Sequence, residues 1–376
     1  MVQRDAGYDL NGRIVLVGLE VTNKMYYPVY IMDLDDGTSH YLNTDPFWTV
    51  TVYISPDHRK IAVKFKVSNS IGSVLQLIDN QGEEIGYQRI IRGEIDSQSV
   101  TDLILTSLLG WYDNDNIVID SVNFGDDIRI GPIIIYNPSS KKVTGTYQIS
   151  GYPDADITYV SRPGWGEYST SHAVYSPDYR YVVYAQLDGD ITLQDIENNK
   201  SILTLDHAYL VSPQWDHDSR DFFTVRFTDE EKWKKGIYTC EFFRVDIDGK
   251  IQQLTRLMDV FPAADIRSFA LSPDEKKIAF WLSTDPSKQD FNLAILDLDQ
   301  GQVTLFEGIE FNPQRATARV REPVWLANNQ QILVALEAEE TYFRTVLVDL
   351  EEGWAMTIME NSYPIGWVVD EPSNDE

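Results

Sequence analysis

The chain has one cysteine, Cys240, among 376 residues. A lone cysteine excludes an internal disulfide framework and a zinc site built from thiolates. Histidine is nearly as scarce. The five stand at 40, 58, 172, 207 and 217, never at the spacing of a metal-ligating pair. No apolar run approaches the ~18–20 residues that cross a bilayer. The polar opening MVQRDAGYDL is not a signal peptide. It fits the cytoplasm, or the cell envelope if a leader has been trimmed, and the sequence leaves the two open. Basic residues are in deficit, 31 Lys and Arg against 59 Asp and Glu, for a formal charge of −28. Nucleic acid and anionic membranes both want a basic face, so neither is the expected partner. The nucleophile elbow G-x-S-x-G, the zinc helix H-E-x-x-H, C-x-x-C and a glycine-rich phosphate loop are also missing. What is present is apolar material, 43% hydrophobic and 12% aromatic residues, enough for the core of an acidic, soluble protein.

That material is arranged in a repeat. Ser55-Pro56-Asp57, Ser176-Pro177-Asp178 and Ser272-Pro273-Asp274 each follow a large apolar residue and precede an alternating apolar run, as in KIAVKF. Pro fixes φ and Asp bonds its own backbone, so each triplet makes a tight turn between strands. Degenerate copies begin at Trp111, Trp215, Trp325 and Trp367. Behind each turn come apolar strands that end in Asp36-Gly37, Gln81-Gly82, Asp248-Gly249, Gln300-Gly301 or Glu352-Gly353. Such glycines supply the positive φ of tight hairpins. Four antiparallel strands per unit, repeated radially, describe a β-propeller blade. The last turn, at Trp367, lacks following strands, and the first strand pattern, at 13–20, lacks a preceding one. The two ends therefore complete one blade. The expected fold is all-β: a single seven-bladed propeller over 1–376. Its blades fall near 13–43 with 362–370, 50–92, 100–149, 172–206, 210–256, 266–306 and 322–360. Six blades is the alternative if the terminal Trp motif is chance. The stretch 100–110 reads as a loop helix or an inner strand.

The Ser-Pro-Asp repeat resembles that of the TolB-like propellers, related to the propellers of prolyl oligopeptidase and dipeptidyl peptidase relatives. The likeness covers essentially the whole chain, with three good copies and four degenerate ones. It implies a scaffold that binds a protein or another ligand, and it implies no catalytic residues. The extra α/β domains of TolB and of the peptidases have no counterpart in this sequence.

In a four-strand meander the Ser-Pro-Asp turns and the Gly hairpins share one face. The long connections share the other, and long loops on a rigid frame are where binding sits. The loop 150–172 holds Arg162, Trp165, Tyr168 and His172, the residue types of interface hot spots. The loop 308–323 holds Arg315, Arg319 and Arg321, three cations suited to a carboxylate or phosphate, or to local pairing with Glu307, Glu310 and Glu322. Trp233 sits in a basic-aromatic tip with Lys232, Lys234 and Lys235; Glu230 and Glu231 adjoin it, which favours a solvated loop over a binding tip. His58 and His217 fall in short turns, where exposure is the default. The four repeat tryptophans read as starting the innermost strands and packing between blades. The acidic runs at Asp33–Asp36, Asp113–Asn116 and Asp188–Asp190 fit no twelve-residue calcium loop. No cofactor is expected, with calcium the weak alternative. The expectation is a non-enzymatic binding scaffold for another protein or peptide. An enzyme using the channel, or a carbohydrate- or anion-binding module, is the runner-up.

Overall fold

The computed structural model describes residues 12–18, 20–21, 25–42, 50–66, 73–90, 107–124, 128–147, 173–185, 190–198, 200–206, 211–285, 290–311, 321–337 and 343–369. Seven four-stranded antiparallel sheets account for nearly all of its regular structure. Blade 1 orders Ser362–Val368, Arg13–Gly18, Val29–Asp33 and Ser39–Tyr41 from the inner strand outward. Blade 2 is Val50–Ile54, Lys60–Lys66, Ser73–Asp79 and Glu84–Ile90. Blade 3 is Ser107–Trp111, Ile117–Phe124, Ile128–Asn137 and Lys142–Tyr147. Blade 4 is Ala173–Tyr175, Tyr181–Ala185, Ile191–Asp195 and Lys200–Leu205. Blade 5 is Gln214–Trp215, Asp221–Phe227, Cys240–Asp246 and Ile251–Gln253. Blade 6 is Asp265–Leu271, Lys277–Ser283, Phe291–Asp297 and Gln302–Phe311. Blade 7 is Val324–Trp325, Gln331–Glu337, Phe343–Asp349 and Trp354–Glu360. This is the expected seven-bladed β-propeller. By contact density the chain divides into two compact units, Met1–Ile149 with Tyr342–Leu347 and Ala355–Glu376, and Ser150–Thr341 with Val348–Trp354.

The Ser-Pro-Asp triplets build the turns by local chemistry. Ser55, Ser176 and Ser272 donate their hydroxyls to Asp57, Asp178 and Asp274 at 2.6, 2.6 and 2.7 Å. Each hydroxyl also accepts the amide five residues on, at 2.9 Å in all three turns. The next residue bends left-handed: His58, Tyr179 and Glu275 have φ of 57°, 56° and 58°. The degenerate turns keep this bend at Ser219 and Asn329. The turns are also linked from blade to blade. The amide of Asp57 donates to Asn114, that of Asp178 to Ser219 and that of Asp274 to Asn329, each at 3.0 Å. The hairpin glycines behave as the sequence implies, with Gly37, Gly82, Gly249, Gly301 and Gly353 at φ of 67–91°.

The repeat tryptophans end the inner strands rather than start them, a correction to the sequence reading. Each stands just before its turn, so it lies at the turn end of the blade. From there Trp111, Trp215 and Trp325 reach back to the preceding blade. The indole N–H of Trp111 donates to Tyr53 O, that of Trp215 to Val174 O and that of Trp325 to Ala270 O, at 3.0–3.1 Å. Trp325 is 5% exposed. The inter-blade packing role therefore holds.

Closure uses the C-terminal strand. Arg13 to Gly18 pair with Val368 to Ser362, and Ile14, Val15, Leu16 and Val17 beneath that pairing are fully buried. Blade 2 then clasps the end of the closing strand. His58 stacks on Trp367 at 3.6 Å and 9°, and its Nδ1 lies 2.9 Å from Trp367 O. Val369 N donates to His58 O, and Asn80 Nδ2 donates to Val369 O. His58 is thus half-buried rather than exposed, because stacking on a ring from the far end of the chain covers it. His217 is exposed as expected, 2.5 Å from Glu275.

Candidate functional site

Of the sequence-derived candidates, Arg162, Trp165, Tyr168, His172, Arg315 and Arg319 lie outside the described residues. Trp233 and Arg321 lie within them, both on long connections.

Trp233 belongs to the link between the second and third strands of blade 5. Thr228 N donates to Thr239 O at 3.0 Å, and Asp229 N to Thr239 Oγ1 at 3.0 Å. These bonds hold the two ends of the link together. Asp229 then caps a single helical turn, Glu230–Trp233, by accepting Lys232 N at 2.9 Å. Gly236, at φ 76°, ends the turn by donating to Trp233 O at 2.8 Å. The Trp233 ring stacks on Phe227 at 5.2 Å and 9°, yet stays 43% exposed. One face of the indole is therefore pinned and the other open.

The second long connection of blade 5, from outer strand to blade 6, is organised by a buried carboxylate. Glu241, 2% exposed, accepts the Thr255 hydroxyl at 2.5 Å, Leu257 N at 2.9 Å and Met258 N at 3.1 Å. Three donors satisfy the charge and fold the tight helical turn Leu257–Asp259. That turn pushes Val260 into solvent, 73% exposed, with exposed Pro262 nearby. The chain is then tied back. Ala264 N donates to Tyr238 O at 2.9 Å, and Cys240 N to Ala264 O at 2.8 Å. Phe227, Tyr238, Met258 and Phe261 pack on one buried cluster containing Phe242, Phe269 and Phe280. Trp233 and Val260 thus rise from two connections that share one base. Nothing local in the sequence marks Val260; its exposure depends on Glu241, which sits in another strand.

The neighbouring groups are structural. Burial pushes the Cys240 thiol up to about 12, which removes it as a nucleophile. Arg267 donates to Asp265 at 2.9 Å and lies 5.6 Å from the ring centres of both Tyr238 and Phe291. Arg321 is held by its backbone, whose carbonyl accepts the Trp281 indole N–H at 3.1 Å. Beside it, crowding by protein pushes the Glu322 carboxyl up to about 6, with Arg321 pulling the other way, although Glu322 keeps exposed surface. Two of the acidic runs serve their own turns: Asp33 accepts Asp35 N, and Asp113 accepts Asp115 N and Asn116 N. Asp188 and Gly189 of the third lie outside the described residues.

The architecture defines the chain as a seven-bladed β-propeller. No protein-family profile matches it, and no curated protein does. Solved structures do. A putative 6-phosphogluconolactonase from Bacteroides fragilis is 14% identical, with 98% of this chain and 100% of that one covered and a TM-score of 0.53. A prolyl endopeptidase is 13% identical, covering 96% of this chain and 50% of that one, with a TM-score of 0.55. TolB from Acinetobacter baumannii is 15% identical, covering 95% and 81%, with a TM-score of 0.45. At these identities the likeness is one of fold. The propeller resemblance read from the Ser-Pro-Asp repeats is borne out at that level.

Proposed function

We propose that the protein is a non-enzymatic binding scaffold that contacts another protein or peptide through its long-loop face. The supporting observation is the end of blade 5, where Trp233 and Val260 stand exposed on two hydrogen-bonded connections. Large apolar side chains held open on a rigid base are the anchors of protein interfaces. Among the described residues, the other exposed large apolar ones, Tyr41, Ile85 and Ile251, sit singly on outer strands. The fold itself does not choose a function, since similar structures carry the names of a lactonase and an endopeptidase.

The test is site-specific photo-cross-linking. A benzoylphenylalanine at position 260, with position 251 on the outer strand of the same blade as control, is irradiated in extract of the source cells. A discrete adduct from 260 and none from 251 is expected. Equal labelling from both positions, or none from either, removes the long-loop face as the contact surface.

A further inference from the structure

We infer that the outer strand of blade 7, Trp354–Glu360, is a separate docking site, where an extended segment of another protein adds as a fifth strand with basic residues at its ends. This site is independent of the blade 5 contact and goes beyond it.

Every blade ends in an outer strand, and such a strand presents a row of backbone donors and acceptors to any chain that can pair with them. Shortness, charge and glycine blunt these edges. The outer strands of blades 1 and 5, Ser39–Tyr41 and Ile251–Gln253, have three residues each. Those of blades 3 and 4 open on Lys142 and Lys200. Those of blades 2 and 6 carry charge within, at Arg89 and at Glu307 and Glu310. Blade 7 leaves its edge open over most of its length. Every residue of its outer strand before Glu360 is free of charge, and none is Gly or Pro, the longest such run on any of the seven outer strands. The sheet places Phe343–Asp349 on one side of it and no described strand on the other. Trp, Thr and Ile suit a pleated strand. Met356 and Met359, both half-buried, put adaptable side chains on opposite faces of it.

Charge selects the occupant. Glu351 and Glu352 precede the run and Glu360 ends it, all three exposed. The Trp354 indole N–H donates to Glu352 at 2.8 Å, which leaves the carboxylate its charge. Asp349 is buried and accepts the amides of Glu351 and Glu352 at 3.0 and 2.9 Å. Glu337, on the second strand, is a further carboxylate. Against these the strands of blade 7 hold one cation, Arg344. From Thr345 to Glu376 the chain has no Lys, Arg or His. A second copy pairing antiparallel about Thr357 would set its Glu360 diagonally across from Glu352, between chains of charge −28 each. An extended segment with an uncharged centre and Lys or Arg at its ends meets the edge with main-chain bonds and the carboxylates with charge.

The probe is a set of ten-residue peptides with an alternating Thr-Val centre and two Lys, two Ser or two Glu at each end. They are titrated into the full chain and followed by fluorescence anisotropy and amide hydrogen exchange. Lys-ended peptides should bind about tenfold more tightly than Ser-ended ones, the scale of one charge-assisted hydrogen bond, and Glu-ended ones least. Bound peptide should slow exchange in Trp354–Glu360 and leave Ile251–Gln253 unchanged. Methylating alternate amide nitrogens of the centre should abolish binding in one register and spare it in the other, because every second N–H of a strand points at a given neighbour. Glu351→Lys with Glu352→Lys should remove the preference for Lys ends. Both side chains are exposed, so the melting temperature should hold, and Glu351→Gln with Glu352→Gln serves if the reversed protein does not fold. Three results overturn the inference: no preference for Lys ends, Lys-ended peptides that bind without slowing exchange in Trp354–Glu360, or equal loss from both methylation registers. Slowed exchange there that grows with protein concentration in the absence of peptide also overturns it, by making a second copy the occupant. None of these outcomes touches the cross-link from position 260.

Discussion

Removing the Trp325 indole tests whether the repeat tryptophans hold neighbouring blades together. The ring is 5% exposed and its N–H bonds Ala270 O at 3.0 Å. A buried indole removes roughly 150–250 Å² from water. At about 25 cal/mol per Å² that is about 4–6 kcal/mol, of which alanine recovers a part. Large-to-small changes of this kind cost about 3–5 kcal/mol. Trp325→Phe separates the two contributions: it retains most of the apolar volume and strands the Ala270 carbonyl, for about 1–3 kcal/mol. Trp215 bonds Val174 O in the same way but is only half-buried, so Trp215→Ala should cost less than Trp325→Ala. The assay is urea unfolding at 25 °C, followed by both fluorescence and circular dichroism so that a blade-wise transition is recognised. The reasoning is refuted if Trp325→Ala unfolds within about 1 kcal/mol of the parent. It is also refuted if Trp215→Ala is the more damaging change.

Three further outcomes are expected. Burial lowers the Lys64 ammonium to about 8, so the folded state sheds this proton before the unfolded chain does. Stability should rise with pH from about 8 toward 10.5, by an amount on the order of 3 kcal/mol, and Lys64→Met should abolish the slope; an unchanged slope places the titration elsewhere. Glu322 is raised, so its contribution is complete below its ordinary value and is lost as pH climbs through about 6. Unfolding curves between pH 4 and 7 should show that decline in the parent and lack it in Glu322→Gln. Deleting residues from 362 onward removes the inner strand of blade 1, and His58→Ala loosens only the clasp. The deletion should aggregate, whereas His58→Ala should fold and melt lower; a truncated chain that melts like the parent contradicts closure.

The blades were legible because their turns are made locally. Ser, Pro and Asp within three residues supply a hydroxyl, a fixed φ and a carboxylate acceptor, and the hairpin glycines supply positive φ. Closure was legible from the unmatched Trp367 motif. The clasp was not, because His58 and Trp367 are 309 positions apart and neither carries a local sign of the other. The same holds for Gln214, whose side-chain oxygen accepts Leu271 N of the next blade. The placement of the Trp tips was misjudged by one strand end, since the strand pattern alone does not say on which side of the turn the ring belongs. At the candidate site, the basic tip around Trp233 was visible as composition. Its rigidity was not, because it comes from Thr239 and Phe227 on the flanking strands. Val260 had no signal at all, since a carboxylate in a different strand sets its position.

The pairing of Arg13–Gly18 with Ser362–Val368 also governs the order of assembly. A ribosome delivers the apolar strand Ile14–Val17 before blades 2 to 7 and its inner neighbour after them. For most of synthesis that strand keeps a bare hydrogen-bonding edge, available to any other chain. Bringing the two ends together across about 350 residues costs about 5 kcal/mol of loop entropy. That step therefore comes after the intervening blades have shortened the path. The closing strand acts as a completion check: a chain interrupted anywhere upstream of it displays the open edge of blade 1, and only one that extends through Val368 hides it.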